Sequence, residues 1–506
     1  MKNNLAFLTF LLLFNLGFCQ MDTEIYAFDL DASNDGFSVT NMKNISQNVG
    51  YDSQPFFTLE GMLLYSSNRG GQTDILEYNP ANGSKKWLTY TTSRGEYSPM
   101  SIPESIDIAA IGLDTTGLQR VYRYNPKTQK SKKILEDAKV GYQLWIDKNT
   151  LVATVLEENR MDLIVAHLGE GSTRKYQKDI GRSLLKVPGS NKFSYISKEN
   201  GQSMLKSMDP LSGATDSIIS ISGSEDFCWL NNGMLLTGKG TQVLGMNPKK
   251  DKDWKVLVDL KDKGIKNISR MAVNAEQNTL ALVAEPDYTF VVDRQVETYN
   301  ARDLDGFAAC YAEDVVVKRF PKDTLYTGRE TMKTNYKQFF ERTQKTSVEV
   351  LQRIAIGPYV IDKEKALVDG EITYQVAIYT LKNGEIADMT FIFDKEVETS
   401  PEGIVRTQLD TYNSRDIDAF MATYTDDIAL FNYPMRNLST GQEAMRSGYD
   451  SFFSNTPDLH CDIKTRMIIG NKVIDEEQVT VNGGGFSAVA IYEVENGKIS
   501  RVTFLR

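Results

Sequence analysis

The C-terminal part of the chain contains the same sequence pattern twice. Four segments reappear 113 positions later, and no insertion or deletion separates them. The matching segments are YNARDLDGF at 299–307 with YNSRDIDAF at 412–420, GRETM at 328–332 with GQEAM at 441–445, RIAIG at 353–357 with RMIIG at 466–470, and NGEI at 383–386 with NGKI at 496–499. Four matches in one register identify an internal duplication. We therefore define copy one as residues 287–396 and copy two as residues 397–506.

Each copy has the pattern of a mixed α+β domain. The predicted elements of copy one are a helix over 291–300, a helix from Asp303 to Tyr311, a strand over 314–319, a helix opened by a capping box at 327–330, and four further strands. Asp is a natural N-cap, Thr followed by Glu three residues later has capping-box spacing, and Asn-Gly favours a hairpin turn. This order predicts a curved sheet wrapped on helices, which together form a cone.

Residues 44–286 have a different pattern, because short alternating segments are broken by Gly, Asn, Asp and Pro. Their tight turns recur about every 41 to 45 residues, the length of one four-stranded propeller blade. Five units are complete, and the sixth, over 265–284, has room for only two strands. The N-terminal segments 23–30 and 37–43 can supply the missing pair. We therefore predict an all-β six-bladed propeller over residues 20–286, whose N-terminal strands complete the last blade and leave no open sheet edge.

The N-terminus predicts an export signal. Lys2 precedes an apolar run over residues 5–18, and Gly17 and Cys19 occupy the minus-three and minus-one positions of a cleavage site. We expect residues 1–19 to be a signal peptide and the mature protein to be secreted or periplasmic. Acylation of Cys19, as in a lipoprotein, is the alternative. No later apolar run has spanning length, so no membrane span is expected.

Composition argues against several classes of site. The formal net charge of -10 disfavours nucleic-acid binding, which requires a basic surface. The two histidines, His167 and His460, fall in different predicted domains, so we expect neither a histidine-based triad nor a metal site. The chain also lacks a Gly-x-Ser-x-Gly elbow and a phosphate-binding loop, and no cofactor is expected. Cys228, Cys310 and Cys461 are too widely spaced for a disulfide framework and are predicted to be buried free thiols.

The first predicted blade carries a family resemblance. Residues 54–75, QPFFTLEGMLLYSSNRGGQTDI, are similar to the blade repeat of TolB-like propellers. This resemblance implies that a ring face binds a protein partner or a carbohydrate. A carbohydrate site would require exposed aromatic platforms, for which the chain offers four tryptophans, and buried tryptophans would instead indicate blade packing. The four tryptophans are Trp87, Trp145, Trp229 and Trp254.

The two copies resemble the SnoaL-like branch of the nuclear transport factor 2-like superfamily. The resemblance rests on Tyr-Asn-x-Arg-Asp-x-Asp and Gly-x-Glu-x-Met and extends over both copies. It implies the cone fold, but this fold hosts isomerases, cyclases, dehydratases and non-catalytic binding domains. Paired sheets are frequent in this superfamily, so we expect the two copies to pair within the chain, where the linkage gives a high effective concentration.

The resemblance also implies where catalytic residues would lie. Ketosteroid isomerase, an enzyme of this superfamily, uses an Asp base with a Tyr and a protonated Asp as an oxyanion pair. Its three catalytic positions are predicted to fall, in copy one and copy two respectively, at Arg319 and Asn432, at Gln295 and Gln408, and at Ile378 and Ile491. Arginine cannot serve as a base at neutral pH, and isoleucine cannot donate a hydrogen bond. Isomerase chemistry of this kind is therefore not expected, and no catalytic residue is assigned.

Four polar residues remain as candidate ligand contacts. Arg319 and Asn432 occupy the predicted base position, where the two copies differ, whereas Arg353 and Arg466 are kept in both copies. An arginine that points into the cone would favour a small anionic ligand, because its guanidinium binds a carboxylate or phosphate through two hydrogen bonds. The competing interpretation is an ion-paired or solvent-facing arginine.

These observations favour a non-enzymatic bacterial envelope protein. Its propeller would recognise a protein partner, and the paired cones would form a pseudo-dimer or hold a small ligand. The alternative is an isomerase-type or cyclase-type enzyme that acts on a small organic substrate in one cone. A deep, partly apolar cavity with convergent polar groups would indicate an enzyme. Filled cones and an exposed patch on the propeller would indicate a binding protein.

Overall fold

A computed structural model describes residues 22–33, 36–48, 50–221 and 225–506. The predicted signal peptide and Cys19 lie outside the described residues. The chain divides into two compact units, and the boundary lies between Asp287 and Tyr288. Each unit has its own core, and each is described separately below.

The N-terminal unit consists of short strands and two 3-10 turns. In chain order, its strands are β1 (Glu24–Asp31), β2 (Ser38–Asn44), β3 (Asp52–Phe57), β4 (Leu63–Arg69), β5 (Gln72–Tyr78), β6 (Lys85–Trp87), β7 (Arg94–Ser101), β8 (Ile108–Asp114), β9 (Gln119–Tyr124), β10 (Ser131–Lys133), β11 (Val140–Trp145), β12 (Thr150–Glu157), β13 (Arg160–His167), β14 (Ser172–Gln177), β15 (Ile180–Lys186), β16 (Phe193–Ser197), β17 (Met204–Met208), β18 (Thr215–Ser220), β19 (Cys228–Trp229), β20 (Leu235–Lys239), β21 (Gln242–Met246), β22 (Lys255–Asp259), β23 (Ile265–Val273) and β24 (Thr279–Pro286). The 3-10 turns span Glu199–Gly201 and Lys261–Lys263.

Within the described residues, these strands form six four-stranded sheets, as the propeller prediction requires. Five sheets are built from four consecutive strands each, from β3–β6 to β19–β22. The sixth has the order β2-β1-β24-β23, so strands from both ends of the unit share one blade. Strand β1 pairs antiparallel with β24, where Tyr26 lies opposite Leu282. This pairing gives the inner strands of the last blade hydrogen-bonding neighbours on both sides. The six-bladed fold class is confirmed.

The two copies contain the same elements in the same order. Those of copy one are α1 (Tyr288–Asn300), α2 (Leu304–Ala308), β25 (Tyr311–Arg319), β26 (Asp323–Thr327), α3 (Arg329–Arg342), β27 (Thr346–Ile356), β28 (Tyr359–Val368), β29 (Glu371–Lys382) and β30 (Glu385–Phe393). Those of copy two are α4 (Glu402–Ser414), α5 (Ile417–Ala422), β31 (Tyr424–Asn432), β32 (Arg436–Thr440), α6 (Gln442–Asn455), β33 (His460–Ile469), β34 (Lys472–Val481), β35 (Gly484–Glu495) and β36 (Lys498–Leu505).

Each copy folds into one six-stranded sheet that packs against its three helices. The strand order in copy one is β26-β25-β30-β29-β28-β27, and copy two repeats this order. Strands β25 and β30 are parallel, whereas the β27–β30 strands form an antiparallel meander. Phe307 and its counterpart Phe420 are fully buried between helices and sheet. The cone fold predicted for both copies is confirmed.

Local capping follows the sequence prediction in one place and departs from it in another. Asp303 caps α2 by accepting a hydrogen bond from the backbone N–H of Gly306 at 3.0 Å, as predicted. The helix ends at Ala308 rather than Tyr311, because Tyr311 already belongs to β25. The prediction of a capping box at 327–330 is wrong. The helix α3 is instead capped by Gly328, whose φ of 88° suits glycine, and no side chain bonds to this helix start.

The two copies pack against each other through the sheet faces turned away from their helices. The buried residues of this inter-copy cluster are aliphatic apart from Phe320, and they come from both sheets: Phe320, Ile354, Ile361, Val376, Ile378, Ile392, Met467, Ile469, Ile474, Val489, Ile491 and Leu505. A polar contact lies beside the cluster, where the Tyr433 hydroxyl lies 2.8 Å from Thr390 Oγ1 and donates to Asp388 Oδ1 at 3.2 Å. The C-terminal unit is thus a pseudo-dimer within one chain.

Candidate functional site

Copy one contains a cavity inside its cone. The cavity has a volume of about 360 Å³ and lies between the helices α1 and α3 and the inner face of the sheet. Its lining residues are Gln295, Val296, Tyr299, Val317, Leu325, Tyr326, Asn335, Tyr336, Phe339, Arg342, Val348, Glu364, Ala366, Val368, Thr373, Gln375, Tyr379, Met389, Phe391 and Phe393. Most of these side chains are apolar or aromatic, and the few polar ones can fix the orientation of a small molecule.

Strand alternation places the polar residues of this cavity. Glu364 on β28 lies directly opposite Gln375 on β29 in the antiparallel register. Because side chains alternate between the two faces of a sheet, Gln375 and Tyr379 face the helices, whereas Val376 and Ile378 between them face copy two. Strand β29 therefore lines the cavity with one face and contributes to the inter-copy cluster with the other.

Three of the polar side chains form a buried hydrogen-bonded group. The hydroxyl of Tyr379 donates to Glu364 Oε1 at 2.9 Å, and Gln375 Nε2 donates to Glu364 Oε2 at 2.7 Å. Gln295 Oε1 lies 3.3 Å from the same tyrosine hydroxyl. Burial raises the pKa of Glu364 to about 7, although both hydrogen bonds oppose this shift. Glu364 therefore exchanges its proton near neutral pH.

The walls of the cavity are aromatic. Tyr299 and Tyr336 meet edge to face with ring centres 6.1 Å apart, and Tyr336 packs on Phe307 at 4.4 Å. Burial raises the pKa of Tyr326 to about 12 and that of Tyr336 well above its usual value, so both hydroxyls stay neutral. These rings provide a flat apolar surface beside the polar group of Glu364.

Exposed apolar side chains surround the opening of the cavity. Leu325 is 44% exposed and Phe393 is 45% exposed, and both line the cavity. The Arg319 guanidinium lies 5.5 Å from the ring centre of Phe393, and the Arg342 guanidinium lies 5.5 Å from that of Phe339. The opening thus combines apolar surface with two exposed guanidinium groups.

The four candidate ligand contacts are not brought together. Arg319 is exposed beside the opening of the copy-one cavity. Its counterpart Asn432 is half-buried at the end of β31 in the other copy, and its side-chain oxygen accepts no protein hydrogen bond among the described residues. The ligand role of these four residues stays a prediction.

The two retained arginines form matching buried ion pairs. Arg353 holds Asp362 through two hydrogen bonds of 2.6 and 2.7 Å and also contacts Asp293. Arg466 holds Asp475 through two bonds of 2.7 and 2.6 Å. Both carboxylates are almost completely buried, so the guanidinium forks compensate charges that water cannot reach. Geometry repeated in both copies indicates a contribution to the fold.

The residues predicted for the second oxyanion position do not face the cones. Ile378 and Ile491 lie in the inter-copy cluster and face away from the cones. Their inward neighbours are Tyr379 and Tyr492, each hydrogen-bonded to a buried glutamate. The sequence landmarks identify this strand, but they do not show which of its two faces points into the cone.

Sequence reasoning missed Glu364 and its counterpart Glu477. Both copies keep the glutamate on the inner face and the hydrogen-bonded tyrosine 15 positions later. The repeated spacing was readable in the sequence. The sequence did not show that these glutamates are buried under the helices, because an alternating strand does not indicate which of its two faces the helices will cover.

Copy two keeps the glutamate–tyrosine pair but differs at neighbouring lining positions. Glu477 accepts a hydrogen bond from the Tyr492 hydroxyl at 2.7 Å, and burial raises its pKa to about 7, as for Glu364. However, Phe486 and Ala488 stand where copy one has Thr373 and Gln375. Phe486 packs against the core of copy two.

A stacked arginine also covers this end of copy two. Arg506 stands where copy one has Phe393. Its guanidinium lies 5.5 Å from the ring centre of Phe486 and 5.4 Å from that of Phe504. Phe486 and Arg506 thus lie together at this end of the second cone.

Other classes of site find no support in the described part of the chain. No group of three or more His, Cys, Asp or Glu side chains there could hold a metal ion. Cys228, Cys310 and Cys461 are buried free thiols, as predicted. Across residues 22–33, 36–48, 50–221 and 225–506, no helix has both the length and the apolar character to cross a membrane.

The tryptophans offer no exposed platform for a carbohydrate. Trp145 is buried, and the other three are half-buried. Trp229 donates to Ser194 Oγ at 2.9 Å, and Trp254 stacks on Phe227 with ring centres 5.9 Å apart. These contacts indicate blade packing, the interpretation that the sequence left as the alternative to a carbohydrate site.

Comparison with known proteins agrees with the duplicated domains. A family model described as the SnoaL-like domain matches residues 292–389 and 405–502. No curated protein matches the chain. Among solved structures, an uncharacterized cystatin fold protein from Novosphingobium aromaticivorans shares 31% identity, with 21% of this chain and 99% of that chain covered and a TM-score of 0.21.

Two further structures match different parts of the chain. An NTF2-like protein of unknown function from Cytophaga hutchinsonii shares 15% identity over 22% of this chain and 92% of that chain, with a TM-score of 0.19. A putative TolB from Agrobacterium tumefaciens shares 13% identity over 52% of this chain and 98% of that chain, with a TM-score of 0.42. The duplication, the two cones and the family model lead to one assignment. The two C-terminal domains of this chain belong to the SnoaL-like domain family.

Proposed function

We propose that this chain is an exported binding protein in which copy one holds a small organic molecule and copy two serves as its structural partner. The supporting observation is the difference between the cones. Copy one has an open cavity of about 360 Å³ with Glu364, Gln375 and Tyr379 at its polar end, whereas copy two has Ala488 in place of Gln375 and packs Phe486, the counterpart of Thr373, against its core. The aliphatic cluster between the sheets makes the second copy part of the support of the first.

A cavity-filling variant tests ligand binding. Thr373→Phe introduces into copy one the side chain that copy two carries as Phe486, at a position on the cavity wall. Calorimetric titration of the full chain with 2-naphthol, a small aromatic alcohol, is expected to show one site that this variant loses. Tyr374→Phe is the matched control, because Tyr374 is exposed on the opposite sheet face. Absence of binding to the unmodified chain, or equal binding to the Thr373→Phe variant, would contradict the proposal.

The propeller is the proposed site for a protein partner. Leu59, Ile106 and Leu211 are 83%, 57% and 77% exposed and lie in turns of three different blades. Each of these turns joins the first strand of a blade to the second or the third strand to the fourth. Because neighbouring strands within a blade are antiparallel, all three turns lie at the same end of their blades. Exposed apolar side chains on one face favour a protein contact.

Serine variants at the three turn positions test the partner role. Leu59→Ser, Ile106→Ser and Leu211→Ser together are expected to abolish crosslinking to a specific envelope protein, while the cavity still binds 2-naphthol. Unchanged crosslinking would contradict the partner role of this face. The envelope location rests on the predicted signal peptide, and recovery of the mature protein in the periplasmic or secreted fraction would test it.

Catalysis in copy one is the second candidate function. The observation that favours it is a buried carboxyl with a pKa of about 7 on the wall of an open cavity, because such a group can both give and accept a proton at neutral pH. Glu364→Gln keeps the shape of the side chain and removes this ability. If turnover of a bound compound is found, this variant is expected to abolish turnover while retaining binding.

A further inference from the structure

The carboxylate at the polar end of the copy-one cavity keeps acceptor positions that its two hydrogen bonds to protein groups do not use. The carboxylate of Glu364 receives one hydrogen bond on each oxygen, from Tyr379 and from Gln375. An ionised carboxylate has about four acceptor positions, so about two remain for a ligand. The tyrosine hydroxyl and the glutamine nitrogen already direct protons at this carboxylate. A ligand group with a proton to donate therefore fits this end of the cavity.

The charges around this group disfavour an anion. In the described part of the chain, no lysine or arginine forms an ion pair with Glu364. The guanidinium of Arg353 on the neighbouring strand is occupied by Asp362 and Asp293. Arg342 is exposed at the other end of the cavity, above Phe339. A carboxylate or phosphate placed beside Glu364 would thus bury a second negative charge without a partner, which is costly.

The remaining lining requires an apolar body. Tyr299, Tyr336, Phe339 and Phe391 surround the polar end with rings, and the whole cavity has a volume of about 360 Å³. Aromatic rings pack well against the faces and edges of other rings. A compact molecule with one or two rings and a single polar end matches both the size and the surface.

We propose that the ligand of copy one is a compact aromatic or alicyclic molecule whose polar end is a hydroxyl or amine that donates to Glu364, and that carboxylates and phosphates are excluded from the space beside Glu364. This inference rests on the proposed binding function. It differs from the anionic ligand predicted from Arg319, because that guanidinium lies outside the cavity lining. The glutamate–tyrosine pair alone does not carry the inference, since copy two has the same pair. Copy one is distinguished by the additional donor Gln375, where copy two has Ala488, and by Thr373, where copy two has Phe486.

Matched probes with one naphthalene body test this assignment. Naphthalene, 2-naphthol, 2-(aminomethyl)naphthalene and 2-naphthoate are titrated into the full chain at pH 8 by calorimetry. The alcohol and the amine are expected to bind about tenfold more tightly than naphthalene, because a hydrogen bond to a charged group contributes about 1.5 kcal/mol or more. The carboxylate is expected to bind more weakly than naphthalene. If naphthoate binds most tightly, the inference fails while the binding function stands, and if no probe binds, the binding function fails as well.

Isosteric variants locate the effect. Glu364→Gln is expected to remove the advantage of the amine over naphthalene by about tenfold and to reduce the penalty of naphthoate, because the ligand then meets a neutral amide. Glu477→Gln is the matched control in copy two and is expected to leave all four affinities unchanged. Equal affinity ratios in the Glu364→Gln variant and the unmodified chain would overturn the assignment.

Discussion

The two cones have the same fold and the same buried glutamate–tyrosine pair, yet they differ in the residues that line one end of the cone. Glu364 and Glu477 each accept a hydrogen bond from a tyrosine, and burial raises the pKa of both to about 7. The difference comes from residues nearer the end of the cone, such as Thr373 in copy one against Phe486 in copy two. Duplication has kept the residues that hold the helices and the sheet together, and divergence has occurred where one cone opens.

The ion pairs test what the copies share and have the largest expected effect. Arg353→Ala and Arg466→Ala each leave a buried aspartate without its guanidinium, so each is expected to lower the free energy of unfolding by about 3–5 kcal/mol. Among the described residues, α-helices occur only in residues 288–506, so circular dichroism at the helical band reports this unit. A loss in only one copy would show that the shared geometry has different roles.

The inter-copy cluster tests whether copy two supports copy one. Ile378→Ala and Ile491→Ala remove fully buried side chains from opposite sides of the same cluster, and each is expected to cost roughly 2–5 kcal/mol. Because the two positions touch the same cluster, the double variant is expected to cost less or more than the sum of the single variants. Simple additivity in denaturant unfolding would argue against a shared cluster.

The buried glutamates give both copies the same pH dependence. A carboxyl whose pKa rises from 4.5 to about 7 on folding binds its proton more tightly in the folded state, so stability is highest at low pH and falls as pH rises from about 5 to 7. Glu364→Gln and Glu477→Gln should each remove at most about 3 kcal/mol of this fall. Unfolding of the C-terminal unit at pH 5, 6 and 7 measures the slope. An unchanged slope in either variant would contradict the assigned shift.

Introducing copy-one residues into copy two tests whether these lining positions cause the difference in ligand binding. Phe486→Thr with Ala488→Gln introduces the copy-one residues at these two positions. The variant is expected to gain a second site for 2-naphthol, because a site needs both volume and polar partners. The affinity of this second site is expected to be about tenfold lower than that of the first. The binding stoichiometry in calorimetry should rise from one to two per chain. A stoichiometry of one would show that other residues, such as Arg506, keep this cone closed.

The guanidinium beside the opening of copy one has the smallest expected effect. Arg319→Ala removes the contact of Arg319 with the Phe393 ring, and exposed contacts of this kind contribute about 0.5–1 kcal/mol. We expect affinity for 2-naphthol to fall about two- to fivefold. Asn432→Ala, at the corresponding position of copy two, is the control and should leave binding unchanged. A much larger loss for Arg319→Ala would favour the direct ligand contact predicted from the sequence.

Several features of the C-terminal unit were readable from residues close together in the chain. Asp303 was recognisable as an N-cap because its partner, the N–H of Gly306, is three residues away. Gly328 was misread as part of a capping box because strand β26, which brings the chain to this helix start, was not predicted. Ile378 was predicted to face the cone but lies in the inter-copy cluster, because neighbouring residues of a strand point to opposite faces of the sheet. Errors thus arose where distant strands decide the geometry.

The sequence by itself determined the duplication, the six blades and the cone fold, because repeats, turn spacing and alternation are local signals that persist through folding. Only the tertiary structure decided that copy one encloses a cavity, that Glu364 meets Gln375 and Tyr379 at one end of it, and that Ile378 faces copy two. Cavity volume depends on side chains from four or more elements packed together, and a single substitution such as Thr373 against Phe486 changes it. A pattern along one chain cannot report a volume that distant segments enclose.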